Sequence, residues 1–312
     1  DVIFLCLFWK NIFEIVKVWK SNNRSFHYIL IVTALLALVF LKWACDSIEH
    51  YDTYLYHAQA IRWIEEYGVV PGLGNLHHRF AYNNSVFSLQ ALFSLSFLLG
   101  GGRSLHGING FICLVFMVYA ICSLKVLRTH RFHISDFFRA ELVYYIASQK
   151  DMISSPCSDL FAQGMILYVL IKWITRLEEN KTDYKYYMDL CLMSIFAVSI
   201  KLSATMIVLL AMAPAVRIIR KKKWKEMGVY IIYGSIMVLP FLIRNVIISG
   251  YLIYPYPELD LFHFDWKIPA YTLLYDRNQI KVWGNGLKDV TRYNAVFSEW
   301  FSVWKEELSR LQ

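Results

Sequence analysis

The residues able to do chemistry in this sequence gather in a few polar stretches between long apolar ones. The first stretch opens with three carboxylates, Asp46, Glu49 and Asp52. Asp52, Tyr56, Gln59 and Trp63 follow the spacing i, i+4, i+7 and i+11 that a helix brings to one face. Such a face presents a carboxylate, a phenol, an amide and an indole, groups suited to reading a sugar. The carboxylate fits general-base work on a hydroxyl; it fits an ordinary helix N-cap equally. Asp46 and Glu49 are close enough in sequence to raise a neighbouring carboxyl pKa, or to be plain solvated charges.

Four histidines, His50, His57, His77 and His78, share this stretch. A divalent metal is conceivable on imidazoles, but their spacing matches no strong ligand motif, and no metal site is assigned. Further on, Asp151 and Asp159 bracket a short polar segment. Asp159 opens an apolar helix, where a carboxylate caps the helix and complements its dipole, or holds a hydroxyl or a phosphate-bound metal. Lys201 stands between two apolar blocks. An ionisable group there is costly and points to function, with a snorkelling lysine as the plain alternative. Arg244-Asn245 lies near the end of the last long apolar block. Its forked donors suit a phosphate or an outer carboxylate such as Asp52.

The elements that must position these groups are membrane helices. Apolar residues make up 57% of the 312 positions, above the roughly 45–50% of soluble domains. Charged residues are only 18% and fall between apolar blocks. The net charge of +8 sits mainly in runs beside those blocks, as the positive-inside rule predicts, so it speaks for a membrane and against nucleic acid. The six cysteines are scattered without metal-type spacing and read as buried free thiols, with a Cys45–Cys157 disulfide as the lesser alternative.

Basic residues before 27–45 and acidic ones after it make this block exit the cytoplasm. Lys125, Arg128 and Arg131 then mark a return to the cytoplasm after 106–124. That return leaves 86–100 as a short helix in the outer leaflet. Its length of about 15 residues gives roughly 22 Å, short of the ~30 Å hydrocarbon core. Further spans are expected at 137–148, 160–173, 186–200, 203–216 and 229–248, giving about seven in all. The expectation is an all-α polytopic membrane protein with a large first outer loop, 46–105, containing juxtamembrane helices. Residues 1–26 read as the end of an upstream helix and a cytoplasmic linker. Residues 27–248 form the transmembrane module, and 249–312 an outer segment opening a further region. Material is expected to be missing at both ends.

In order and spacing these features resemble the GT-C superfamily of integral membrane glycosyltransferases, of the aminoarabinose-transferase-like and protein-mannosyltransferase-like kinds. The resemblance rests on Asp52, Tyr56 and Gly68, on Val69-Val70-Pro71 with Leu73 and Leu76, and on the short helix ending at Gly100. Asp159 opening a helix and Arg244-Asn245 before Gly250 and Pro255 complete it, over about 26–257. Asn83-Asn84-Ser85 stands where many relatives have Lys-Pro-Pro, and Thr53 follows Asp52 where an acidic pair is usual. Residues 46–84 also look like an uncharacterised bacterial subgroup.

The resemblance implies transfer of a sugar from a polyprenyl-phosphate carrier to a glycan, lipid or protein acceptor at the outer face. A bacterial inner membrane with its site facing the periplasm or exterior is the implied setting. Asp52 is then the catalytic candidate, with Tyr56, His57, Gln59, Arg79, Asp159, Lys201 and Arg244 as substrate contacts. Lys201 and Arg244 would stabilise the departing phosphate. A transporter or flippase for a lipid-linked substrate accommodates the same cations, although no internal repeat is visible. A non-catalytic assembly subunit needs no acidic face at all. On the transfer reading, Arg244→Ala weakens binding of a polyprenyl-phosphate sugar about ten-fold or more, as loss of a charged hydrogen bond predicts; equal donor affinity in a lipid-binding titration overturns that role.

Overall fold

The computed structural model describes residues 24–100 and 102–310, and the apolar stretch at 2–9 and the basic Lys17 and Lys20 lie outside them. The fold is all helical, with no strand among the described residues. Four segments are long and apolar enough to cross a membrane: His27–Ala44, Ser158–Glu178, Leu202–Arg220 and Trp224–Ser249. These features define an integral membrane protein.

Helix α1 (Arg24–Ala44) shows how such a segment is used. It buries Phe40 against its neighbours and leaves Ile31, Leu35, Leu38 and Leu41 exposed, the pattern of a helix facing lipid on most sides. The first loop then carries α2 (Ala58–Tyr67) and α3 (Ser85–Phe93). The bundle continues with α4 (Ile108–Cys122), α5 (Ile134–Ser148), α6 (Ser158–Glu178) and α7 (Met188–Ile200). A 3₁₀ stretch, Leu202–Ala211, leads into α8 (Met212–Arg220), and α9 (Trp224–Ser249) follows. Beyond it lie α10 (Ala270–Gly284) and the amphipathic α11 (Phe297–Arg310).

Helices α1, α4, α5 and α6 share one core, with Phe40, Phe116, Met117, Leu142, Ile146, Leu160, Leu167 and Ile171 buried in it. Small residues let the helices approach, as is usual between membrane helices. A Cβ on Gly164 would lie 2.7 Å from the Phe116 ring. Helix α7 packs on α6 and α9, and a second core joins Val169, Ala197, Ala204 and Ile207.

The expected helix over 86–100 is interrupted. Asn84 accepts from Val86 N at 2.8 Å and starts α3, but the chain turns at Leu95 (φ 53°) and resumes as a single turn, Ser96–Leu99. Ser94 is fully buried and its Oγ bonds the carbonyl of Ala91, drawing this point into the protein. Leu92, Phe93, Phe97 and Leu98 remain exposed, an apolar edge suited to lipid.

Polar groups within the bundle are paired at one end of it. Arg139, 2% exposed, bonds Asp136 at 3.0 Å, Ser135 at 2.6 Å, Ser123 at 2.9 Å and Thr175 at 3.0 Å. Asp136, 1% exposed, also accepts from the backbone of Lys125 (2.7 Å) and Val126 (3.0 Å). Glu178 accepts from Ser135 and from Lys125 Nζ at 3.0 Å. The network thus ties α4, α5 and α6 together. Removing one member strands a buried charge. Arg139→Met is expected to cost about 3–5 kcal/mol in a denaturant titration, and adding Asp136→Asn to it should recover part of that loss; an additive pair of losses contradicts the coupling.

Candidate functional site

At the other end of α6, the first loop and the segment between α5 and α6 are stitched together by buried polar side chains. Asn109, 1% exposed, donates to the carbonyls of Ser155 and Cys157, both at 2.7 Å, and accepts from Gln90 at 3.2 Å. Ser154 donates to the carbonyl of Ser47 at 3.1 Å, and the hydroxyls of Thr53 and Ser155 bond one another. Asp52 and Asp159 therefore sit on segments held in a fixed relation.

The helix that follows Asp52 does not keep α-helical spacing. Thr53–His57 forms a π-helical turn before α2 begins. Thr53, His57, Ala60 and Ile61, at i, i+4, i+7 and i+8, point inward. Of the expected face, Asp52 and Tyr56 both meet Arg79, and Trp63 packs on Tyr67. Gln59 is exposed and donates to the Tyr54 carbonyl at 2.7 Å, away from the other candidates. His57, also expected to touch substrate, is 2% exposed, stacks on His50 at 5.5 Å and lies 5.1 Å from the Phe87 ring. Gly68 closes α2 as expected: its φ of 70° favours glycine, and its N–H bonds the Ile64 carbonyl.

Asp52 precedes the turn without a side-chain capping bond, which removes the N-cap explanation. Its Oδ1 accepts instead from Arg79 Nη1 at 3.0 Å. The Arg79 guanidinium lies between two rings, 5.4 Å from the Tyr56 centroid and 5.3 Å from that of Trp283 in α10. Its own backbone N–H bonds His77 Nδ1 at 3.3 Å. Asp52 thus has a fixed orientation and a carboxylate about one third exposed.

Asp159 pairs with Lys201, so the lysine is engaged within the protein. Both side chains are nearly half exposed. Beside them is a cavity of about 210 Å³ lined by Tyr145, Gln163, Ile166, Ser203 and Ala204. The two ion pairs share one electrostatic neighbourhood. Burial, and then Asp52, raises the Tyr56 phenol above its ordinary range, with Arg79 opposing and Asp159 adding. Burial, and then His50, lowers His57 to about 3, with Asp159 and Lys201 acting on it in opposite senses.

Of the partners expected for Arg244, a phosphate or an outer carboxylate such as Asp52, no carboxylate among the described residues pairs with it. Its Nη1 donates to Asn83 Oδ1 at 2.5 Å, and its Nε is buried without a hydrogen bond. Asn83 also donates to the Phe241 carbonyl at 2.6 Å. No group of three or more His, Cys, Asp or Glu among the described residues is arranged to hold a metal ion. Cys45 and Cys157 are both free, and Cys157 Sγ lies 3.7 Å from His50 Nε2.

Sequence reasoning missed a buried carboxylate on α10. Asp276 is fully buried, accepts from the Tyr254 hydroxyl at 2.5 Å, and lies 3.3 Å from His78 Nε2. Burial raises its carboxyl above the usual range, against the opposing effects of Tyr254 and His78. Burial, and then Asp276, raises the Tyr82 phenol. The segment after α9 folds back on the first loop through Ala81, Tyr251, Tyr254, Ile268 and Leu273. Its richness in Tyr and Trp was the sole signal available.

The whole chain, residues 1–312, matches a family described as "Domain of unknown function (DUF8201)", and the protein belongs to that family. No curated protein and no solved structure matches it.

His57 gives a pH prediction. A histidine whose folded pKa is lowered stays neutral when folded while the unfolded chain takes up a proton below about 6.5, so stability falls as pH drops from 6.5 towards 3. Asp276, whose pKa is raised, acts in the opposite sense as pH rises above its ordinary carboxylate value. Melting temperature measured at pH 7 and pH 4.5 should therefore drop less in His57→Gln than in the natural protein; an identical drop excludes His57 as a source.

Proposed function

We propose that this protein is a membrane glycosyltransferase of GT-C type, moving a sugar from a polyprenyl-phosphate carrier to an acceptor hydroxyl at the non-cytoplasmic face. The observation that carries this reading is the gathering of two partly exposed ion pairs, Asp52–Arg79 and Asp159–Lys201, around Tyr56 at one end of the helices. Seven spans fit the helix order: the four long segments, with α4, α5 and α7 as shorter ones between them. The loops carrying Asp52, Asp159 and Lys201 then fall on one side, and the basic run Lys221-Lys222-Lys223 on the other.

In this mechanism Asp52 accepts the proton of the acceptor hydroxyl as its oxygen bonds the anomeric carbon. The bond from that carbon to the carrier phosphate breaks, and its electron pair leaves on the phosphate. Arg79 holds Asp52 in position between Tyr56 and Trp283. Lys201 is available to the departing phosphate because an exposed ion pair is worth only about 0–1 kcal/mol, so a second anion competes readily with Asp159. The cavity beside Lys201, lined by Tyr145, Gln163 and Ser203 with the apolar Ile166, suits the junction of phosphate and polyprenyl chain. Arg244, with an unpaired Nε, has donor capacity left for the sugar or the phosphate.

Transfer of radiolabelled sugar from membrane-extracted polyprenyl-phosphate donors by the purified protein tests the proposal. Asp52→Ala should lower transfer by about 10²-fold or more, with the protein still folded. Full transfer by that variant removes Asp52 from the mechanism. Saturable donor binding without transfer by the natural protein points instead to a flippase.

A further inference from the structure

The opposite end of α6 carries a second cavity, of about 440 Å³, which the proposed transfer does not use. It opens between α1, α4 and α6 and is lined by Ile29, Tyr119, Ser123, Arg139, Lys172 and Thr175, among others. From Asp159 to Thr175 along α6 is roughly 24 Å at 1.5 Å per residue, so the two sites lie near opposite membrane faces.

Lys172 is the distinctive group. Every other cation on this wall has a carboxylate: Arg139 has Asp136 at 3.0 Å, and Lys125 has Glu178 at 3.0 Å and Glu179 at 3.5 Å. Lys172 makes no close ion pair with a carboxylate among the described residues, and Asp189 and Glu179 act on it only from further off. Its ammonium lies instead 5.2 Å from the Tyr119 ring centroid and 5.8 Å from that of Tyr168. Two aromatic faces hold the cation in place without neutralising it. Around it stand the hydroxyls of Ser123 and Thr175, which bond the Arg139 guanidinium and line the same space. On the α1 side the wall is Ile29, at the start of a helix that turns Ile31, Leu35 and Leu38 outward. A charged, hydroxyl-lined floor beside an apolar, outward-facing helix matches one ligand chemistry: a phosphate attached to an acyl chain.

We propose that this cavity binds the phosphate of an anionic membrane lipid, with Lys172 as its principal cation and the acyl chains running along α1. Glu179 at the rim, held by Lys181 at 2.8 Å, leaves the floor as the region that receives the phosphate.

The test uses the full chain in nanodiscs of phosphatidylcholine with or without 20 mol% (about one lipid in five) phosphatidylglycerol. Native mass spectrometry after detergent release reads retained lipid. The natural protein should retain phosphatidylglycerol at least about ten-fold more than Lys172→Met, and Lys172→Arg should recover most of the difference. Equal retention by the natural protein and Lys172→Met overturns the proposal. A measurement on the natural protein alone covers the case in which Lys172→Met does not fold. Cys122 lines the same cavity, and its alkylation, followed by peptide mass spectrometry, should slow about ten-fold when phosphatidylglycerol is present. An unchanged rate overturns the proposal. Millimolar inorganic phosphate without lipid should give no such protection; protection by phosphate alone assigns the site to a soluble anion and overturns the lipid.

Discussion

The end of the bundle that carries Asp52 and Asp159 hangs on the side-chain amide of Asn109. Its two donor hydrogens go to the carbonyls of Ser155 and Cys157, and its oxygen takes Gln90. An Asn at 1% exposure has no water to fall back on, so these bonds must be made within the protein. In making them it fixes the segment between α5 and α6 against α3 and α4, and through the Thr53–Ser155 bond against the start of the first loop. The positions of Asp52 and Asp159 relative to one another follow from that clasp rather than from either helix alone.

The membrane imposes the same logic at the far end. Arg139 and Asp136 would each be prohibitively placed if single. Together with Ser123, Ser135, Thr175 and Glu178 they form a closed set that spends its hydrogen bonds on joining three helices. Between the two polar ends the cores are made of Leu, Ile, Val, Phe, Met, Ala and Cys, brought close by residues such as Gly164. In hydrocarbon, apolar packing alone gives helices little direction, so the polar clasps at both ends supply the register.

The sequence made the apolar blocks, their charged borders and the C-cap at Gly68 legible, because hydropathy and glycine conformation act locally. It also drew attention to Asp52, Tyr56, Arg79, Asp159 and Lys201, which lie in one electrostatic neighbourhood. A helical wheel over 52–63 does not announce the π-turn at Thr53–His57, the burial of His57 or the bond from Gln59 to the Tyr54 carbonyl. Asp276 was illegible for another reason. Its burial comes from contacts across nearly two hundred positions between α10 and the first loop, seen also where Asn75 bonds the Trp266 carbonyl. Asn83 and Asn84 have roles here that no motif announces: one engages Arg244 and the other starts α3.

The π-turn has a bearing on how this loop tolerates change in length. A π-turn is an α-helix carrying one surplus residue, and an α-helix turns about 100° per residue. Loss of any one residue between Thr53 and His57 would let the turn relax to regular helix without breaking the chain. Because the wider turn has already absorbed that residue, Asp52 would keep roughly its present phase relative to α2, whereas the same loss from the regular part of α2 would rotate one side against the other by about 100°. The five residues of the turn are therefore where this loop can shed a residue and still present Asp52 to Arg79, a slack that the regular helix after it lacks.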